Sequence, residues 1–256
     1  MPGNRGSREL LEDYLEGLPL APEGGELAVA MRYVLQSGGK RVRPLLCLAT
    51  GKAAGAEPSE LLPAAAAIEL VHTFSLVHDD LPALDDDALR RGRPSAHVEF
   101  GEAVAILTGD ALLAEAFRLA CLYDAPEVAR ELAEATSAMI GGQYLDVTSS
   151  QGGVLALNRL KTGRLFSASI GCALWVARIP EARQSPWRAL AEEIGLLFQL
   201  VDDIMDGDGY VVEAGEEEAR RLADEAAARA RARLADLPVD TTELAEIVEG
   251  LPTRAS

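Results

Sequence analysis

Aspartate residues are concentrated in two short clusters of this sequence. The first cluster contains Asp79, Asp80 and Asp85, and the second contains Asp202, Asp203 and Asp206. Asp202 and Asp206 are four residues apart, so they share one face of a helix. Carboxylates packed this closely repel one another unless a cation holds them, and Mg²⁺ commonly joins one or two carboxylates to substrate phosphates. The two clusters therefore predict a Mg²⁺ site for a phosphorylated substrate.

Each cluster could instead be a solvated helix end. Both clusters, however, are embedded in apolar helical stretches, which a solvated end does not require. Two such clusters in one chain favour the metal interpretation.

The segment Gly38-Gly39-Lys40-Arg41-Val42-Arg43-Pro44 is basic in an otherwise acidic chain. Its glycine turn precedes a predicted helix, where backbone N–H groups favour anions. Arg43 can bind phosphate in bidentate fashion, and Lys40 adds a point charge. Alone, the segment would be an ordinary basic loop. Beside two acidic clusters, we interpret it as a second phosphate site that needs no metal.

The composition predicts one large helical domain, residues 1–256. The chain has 256 residues, 48% hydrophobic and only 5% aromatic, which supports a sizeable core and favours helix over sheet. The formal net charge of −17 argues against nucleic acid as a partner. Cys47, Cys121 and Cys172 lie in apolar stretches without metal-ligand spacing, so we expect buried free thiols. We find neither a signal peptide nor an apolar run of membrane-spanning length, and we expect a cytoplasmic location.

Hydrophobic periodicity is helical along nearly the whole chain, without an alternating strand pattern. We expect Ser59 to cap a long helix that carries Pro63 in its first turn and is ended by Pro82. Gly152-Gly153 and residues 206–209 are expected loops. The other predicted helices span residues 26–36, 101–123, 126–147, 155–178, 186–206, 216–234 and 241–251.

Five segments together resemble the trans-type polyprenyl diphosphate synthase family, which includes farnesyl and geranylgeranyl diphosphate synthases. They are GGKRVRP, HDDLPALDDDALRRGRPS, GGQYLD, LKTG and FQLVDDIMD, in this order from Gly38 to Asp206. The resemblance implies an all-α, single-domain antiparallel helix bundle around a deep central cavity, usually as a homodimer. It also implies Mg²⁺-dependent condensation of isopentenyl diphosphate with an allylic diphosphate.

The same resemblance assigns roles to individual residues. Three Mg²⁺ ions, bridged by the allylic diphosphate, would be bound by Asp79, Asp85 and Asp202, with support from Asp80, Asp203 and Asp206. Contacts to the allylic diphosphate would come from Arg90, Lys161 and Gln199. Isopentenyl diphosphate would be held by Lys40, Arg43, His72 and Arg91. Thr162 and Gln199 would face the developing allylic cation. The predicted catalytic set is Asp79, Asp85, Asp202, Arg90, Lys161, Thr162 and Gln199.

The residues themselves give partial support for these roles. His72 lies seven residues before Asp79, on nearly the same helix stripe, although it could equally be a core histidine. Gly163 permits a helix break that aims Lys161 and Thr162 inwards, although it could be a simple kink. We expect His78 and His97 to be structural.

Product length is predicted from the helix before the first cluster. Phe74 lies five residues before Asp79, about 7.5 Å down the helix axis at roughly 1.5 Å per residue, and would form a cavity floor, whereas Ser75 leaves the cavity open. In the resembling family, such an aromatic residue and the insertion Leu81-Pro82 accompany farnesyl synthases. Phe74 could also be ordinary core.

Several alternatives remain open. A geranylgeranyl diphosphate synthase and a catalytically weak partner subunit of a hetero-oligomeric synthase share much of this pattern. A class I terpene cyclase would show an Asn/Ser/Glu-type second motif and no isopentenyl diphosphate site, unlike this chain. One departure from the family is that no lysine follows Lys161, where members usually carry one after the second aspartate motif.

Overall fold

The computed structural model describes residues 2–21, 25–148 and 153–251 as an all-α bundle. The helices are α1 (Pro2–Glu16), α2 (Glu26–Leu35), α3 (Val42–Ala53), α4 (Pro58–Asp79), α5 (Ala96–Phe100), α6 (Glu102–Ala120), α7 (Pro126–Val147), α8 (Val154–Asn158), α9 (Arg164–Val176), α10 (Ser185–Asp206), α11 (Gly209–Ala214), α12 (Glu216–Ala235) and α13 (Thr242–Gly250). A π-helical turn (Arg159–Gly163) joins α8 to α9, and a 3₁₀ turn (Glu181–Arg183) precedes α10. The predicted all-α class is confirmed.

Helix α4 is the central element of the bundle. It packs against α3, α6 and α9, and it is rich in alanine, which allows close helix contacts. By length and hydropathy it could cross a membrane, but 67% of its most apolar window is buried inside the protein, as in a core helix. It begins at Pro58 after the cap residue Glu57, whose N–H donates to the Glu60 carboxylate at 3.1 Å. The predicted cap at Ser59 is therefore wrong by two residues.

The end of α4 also differs slightly from the prediction. The helix ends at Asp79 with Asp80 as its cap residue, just before the expected stop at Pro82. Pro63 lies inside the helix, beyond its first turn.

A short β-ribbon follows the first acidic cluster. Strands β1 (Leu89–Arg90) and β2 (Arg93–Pro94) pair antiparallel, with Arg90 opposite Arg93. The two residues between them, Arg91 and Gly92, have φ values of 55° and 77°, as in the tight turns that suit two-residue hairpins. The sequence did not predict this ribbon because two-residue strands are too short to show alternation.

Other expectations need correction. Helices α1, α5 and α11 were not predicted, and α11 occupies part of the stretch after Asp206. The predicted helix over residues 155–178 is divided by the π-helical turn. Cys47 and Cys172 are buried as expected, but Cys121 is exposed at the end of α6. Gly152 of the expected Gly152-Gly153 loop lies outside the described residues, and one domain over residues 1–256 stays a prediction.

Candidate active site

The first acidic cluster lies where α4 ends. The N–H of Asp85 donates to the Asp79 carbonyl at 2.9 Å, so the chain folds back as the turn at Pro82 suggested. Burial raises the pKa of Asp79 to about 6; Lys161 and Arg90 lower it, while Asp85 and Asp80 raise it further. Asp79 is therefore a carboxylate whose negative charge a nearby cation would stabilise.

Asp80 already has a protein partner. Its buried carboxylate accepts from Nε of Arg90 at 2.9 Å and also contacts the second arginine nitrogen, Nη2. Nη2 of Arg90 also binds Asp87 at 3.0 Å. The ion pair connects the ribbon to the end of α4 and thereby fixes the position of Arg90 beside the cluster.

The second acidic cluster lies in the last turns of α10. Asp203 is buried and accepts hydrogen bonds from Gln199 Nε2 at 2.6 Å, the Tyr210 N–H at 2.9 Å and Asn158 Nδ2 at 3.3 Å. These contacts join α10 to α8 and to α11. Asp202 lines a cavity, and Asp206 is exposed at the helix end.

A basic cavity of about 460 Å³ lies between residues 39–43 and helix α10. Its lining includes Lys40, Arg41, Arg43, His72, Arg90, Arg91, Phe198 and Asp202. The Arg43 guanidinium stacks on the rings of Phe166 and Phe198, at 4.6 and 5.1 Å from their centroids, and lies 3.4 Å from His72 Nε2. Burial and the charges of Arg43, Arg91, Arg41 and Arg90 lower the pKa of His72 well below its usual value. So many cations around a neutral histidine form a site for a highly charged anion.

A second cavity, of about 420 Å³, is mostly apolar. Its lining combines Asp79, Lys161 and Thr162 with Phe74, Ser75, Leu76, Met139, Ile140 and Leu165. Arg43, His72 and Leu76 line both cavities, so the basic and apolar cavities adjoin. An anion at the charged wall of this second cavity could extend an apolar tail into it.

The π-helical turn brings Lys161 and Thr162 to the apolar cavity. A Cβ on Gly142 of α7 would lie 2.8 Å from the Lys161 backbone nitrogen, so only glycine permits this close helix approach. Lys161 Nζ donates to Asp146 on α7 at 2.9 Å. The predicted helix break at Gly163 thus takes the form of an extra-wide turn.

Gln199 lies apart from both cavities. It lines a larger cavity of about 810 Å³ together with Asn158, Gly163 and Arg229, and its amide donates to Asp203. From this position Gln199 orients the Asp203 carboxylate of the second acidic cluster.

The comparisons with known proteins agree with this geometry. The family model described as polyprenyl synthetase matches residues 25–219. The chain belongs to the polyprenyl synthetase family. It is a trans-prenyltransferase, and members of this family depend on Mg²⁺.

Individual relatives of this polyprenyl synthetase include two enzymes named for different products. The farnesyl diphosphate synthase of Geobacillus stearothermophilus is 41% identical over 216 residues, covering 78% of this chain and 71% of the relative. The geranylgeranyl diphosphate synthase of Cyanophora paradoxa is 38% identical over the same length and coverage. A geranyltransferase crystal structure from Legionella pneumophila has a TM-score of 0.87 with 29% identity and covers 99% of both chains.

The donor set of the polyprenyl synthetase fits Mg²⁺. The acidic side chains at the site offer only oxygen, the ligand type that Mg²⁺ prefers. Within residues 2–21, 25–148 and 153–251, no three His, Cys, Asp or Glu side chains converge on one point. This arrangement suits an ion that completes its shell with substrate phosphates rather than with a full set of protein ligands.

Two residues that shape the site had no predicted role, although they lie within segments that carry the family resemblance. Arg41 lies within the GGKR segment and Asp146 within GGQYLD, and both make the ion pairs that shape the site. The sequence did contain a signal for the role of Arg41. Glu69 lies within the apolar helix α4, three residues before His72, and a buried acid needs a cationic partner.

Proposed function

We propose that this polyprenyl synthetase condenses isopentenyl diphosphate with an allylic diphosphate. The observation that carries the proposal is the contact between the two cavities at Arg43 and His72. Two diphosphates held on either side of this wall would have their carbon atoms adjacent. The lysine and arginine groups of the basic cavity suit isopentenyl diphosphate. The cavity with Asp79 and Lys161 suits the allylic substrate, whose diphosphate Asp202 and Arg90 would approach from the basic side.

Asp79, Asp85 and Asp202 would hold Mg²⁺, up to three ions with substrate bound, and Asp206 would support them. When bound, Mg²⁺ would stabilise the negative charge that develops on the leaving diphosphate. Asp80 and Asp203 orient the site through Arg90 and Gln199, because both carboxylates already accept hydrogen bonds from protein donors.

The chain's own residues account for the other requirements of the reaction. The allylic C1–O bond breaks and the diphosphate leaves with both electrons, beside the cationic groups of Arg90 and Lys161. The isopentenyl double bond attacks C1, and the isopentenyl unit then loses a proton, which the departing diphosphate accepts. Thr162 lines the apolar cavity, where its hydroxyl would face the reacting carbons. Leu76, Met139 and Leu165 exclude the water that would quench the allylic cation.

We propose farnesyl diphosphate as the product. Phe74 is 5% exposed, lines the apolar cavity, and meets His78 edge-on with ring centroids 5.5 Å apart. This aromatic pair supports the proposal that Phe74 closes the apolar cavity near Asp79 and thereby limits the length of the product. Geranylgeranyl diphosphate is the alternative product.

We also propose a homodimer formed through α6 and α7. The cytoplasmic location stays a prediction of the sequence.

The test is turnover of the purified protein with Mg²⁺, isopentenyl diphosphate and allylic diphosphates of increasing length, with products sized by mass spectrometry. Asp79→Asn and Asp202→Asn should lower turnover by on the order of 10²–10³-fold, because charge stabilisation on the leaving group is lost. Asp124→Asn, outside the site, is the control. Full turnover in a chelator, or in Asp79→Asn, would contradict the proposal.

A further inference from the structure

Helix α1 (Pro2–Glu16) precedes the residues matched by the family model, yet it contacts residues 39–41, which line the basic cavity. It is docked on the bundle through Leu11 and Leu15, which are 0% and 4% exposed. Two charged residues on α1, Arg8 and Glu12, are four positions apart and so lie one above the other on one face. This face meets residues 38–41, here named the anion loop.

The carbonyl groups of the anion loop are bound by arginines. Arg8 Nη2 donates to the Gly39 carbonyl at 2.6 Å, and its Nη1 to the Lys40 carbonyl at 3.4 Å. Arg91 donates to the carbonyl of Gly38. With its carbonyls held by these donors, the loop presents Lys40 to the cavity.

Arg41, the last residue of the anion loop, is buried in an ion-pair network. It has a left-handed backbone, with φ 52°, and is 5% exposed. Its Nη1 binds Glu69 at 2.6 Å, its Nε binds Glu12 at 3.0 Å, and its Nη2 donates to the Leu35 carbonyl at 2.6 Å. A non-glycine residue keeps such a conformation only where its surroundings determine it, and Glu12 on α1 is one of those surroundings.

The ion-pair network also affects the net charge of the basic cavity. Glu69 lines the basic cavity, and its carboxylate would repel a diphosphate. Arg41 pairs with that carboxylate while Glu12 fixes the other edge of the same guanidinium. The position of Arg41, and hence the neutralisation of Glu69 at the cavity wall, therefore depends on a residue of α1.

We propose that α1 is part of the isopentenyl diphosphate site, with Glu12 and Arg8 as positioning residues for the anion loop. The inference rests on the proposed function, because it takes the basic cavity as the isopentenyl diphosphate site. Neither residue touches the substrate; each acts through the placement of Lys40 and Arg41.

The experiment compares Glu12→Gln and Arg8→Gln with two references. Glu12 and Arg8 are both accessible enough that their loss should leave the fold intact, which circular dichroism and thermal melting would check. Glu9→Gln, an exposed charge change on the same helix, is the matched control. Lys40→Ala is the benchmark for direct loss of a cavity cation. The readouts are kcat, the KM for each substrate, and calorimetric binding of inorganic pyrophosphate without Mg²⁺.

Glu12→Gln and Arg8→Gln should each raise the KM for isopentenyl diphosphate about fivefold or more, as expected for loss of a charged hydrogen bond. The KM for the allylic substrate and kcat should stay within about twofold, since the loop does not line the apolar cavity. Pyrophosphate affinity should fall in parallel, and Glu9→Gln should match the parent.

Three outcomes would overturn the inference in distinguishable ways. An effect of Lys40→Ala without any effect of Glu12→Gln or Arg8→Gln would remove α1 from the site and leave the proposed function standing. If Lys40→Ala itself left the KM for isopentenyl diphosphate unchanged, the assignment of the basic cavity would fail, and the role of α1 with it. Equal rises in both KM values for Glu12→Gln would indicate general loosening of the fold and would also contradict the inference.

Discussion

At the residue scale, His72 shows how the basic cavity keeps its charge constant. Because burial and nearby arginines hold its pKa well below the usual value, His72 stays neutral at physiological pH and contributes hydrogen bonding rather than charge. The positive charge of the cavity comes from lysine and arginine, chiefly arginine, which does not titrate in this range. Anion binding on this wall is therefore insensitive to moderate acidification.

The floor of the apolar cavity gives a prediction on product length. Phe74→Ala removes the ring that meets His78 edge-on, and we expect products longer by one or more five-carbon units. Replacing a fully packed phenylalanine by alanine lowers the free energy of unfolding by about 3–5 kcal/mol. The loss should be smaller here, because the ring faces a cavity on one side. Product sizing by mass spectrometry together with denaturant unfolding measures both effects.

The matched control is Phe117→Ala on α6, which packs against the core and does not line the apolar cavity. It should lose stability without changing product length. A Phe74→Ala protein that is destabilised and still makes the parent product would assign Phe74 to the core.

Spacing predicted some side-chain positions and not others. Asp79 and Asp85 approach each other because a proline turn follows a helix end, which the sequence displays directly. The pairing of Asp80 with Arg90 depends on a hairpin of two-residue strands, and the stacking of Arg43 on Phe166 and Phe198 joins three helices. Such contacts arise from tertiary packing, which local periodicity does not encode.

At the element scale, α11 is tied to the second acidic cluster by hydrogen bonds and close packing. The Tyr210 N–H donates to Asp203 at 2.9 Å, and the Glu213 carboxylate accepts from the Val154 N–H at 3.0 Å. The first residue of α11, Gly209, has φ 51° and approaches the Asp203 carboxylate so closely that an added Cβ would lie 2.6 Å from it. Helix α11 and the second acidic cluster are therefore packed together as one unit.

Gly209→Ala should disturb this unit. The backbone strain costs about 1–2 kcal/mol, and the collision displaces Asp203 and with it the amide of Gln199. Gly215→Ala is a matched control, because Gly215 also has a positive φ, 90°, but an added Cβ meets no atom within 4 Å. We expect both variants to lose stability in thermal melts and only Gly209→Ala to lose at least tenfold in kcat. Equal kcat values in the two variants would contradict the link between α11 and the site.

The sequence predicted the long amphipathic or apolar helices well. Helix α7 was predicted with the observed bounds, Pro126–Val147, because Pro126 is favourable at a helix start. The π-helical turn was predicted only as a break at Gly163, since its geometry depends on Gly142 of α7. Short helices such as α5 and α11 are too brief for periodicity to reveal them.

At the scale of the whole molecule, exposed apolar side chains on α6 and α7 support the proposed homodimer. Ile106 and Leu107 on α6 are 45% and 56% exposed. Ile140, Tyr144 and Val147 on α7 are 51–66% exposed and also line the apolar cavity. Apolar side chains exposed on two helices that pack against each other are typical of a subunit interface.

The dimer gives the last prediction. Ile106→Glu combined with Leu107→Glu should convert the dimer to a single chain in sedimentation velocity, because buried unpaired charges oppose association. Val239→Glu, an exposed apolar site outside α6 and α7, is the control and should stay dimeric. A parent protein that sediments as one chain at micromolar concentration would contradict the homodimer.

The contrast between a cationic cavity and a chain of net charge −17 has a consequence for encounter rates. At long range a diphosphate meets a repulsive field, and it feels the arginines only within about one Debye length, roughly 8 Å at physiological ionic strength. The usual electrostatic steering is thus reversed: dissolved salt should speed the approach of substrate rather than slow it. Diphosphates already paired with cations in solution carry less negative charge and would reach the cavity fastest. The ionic composition of the medium would therefore determine which form of the substrate associates.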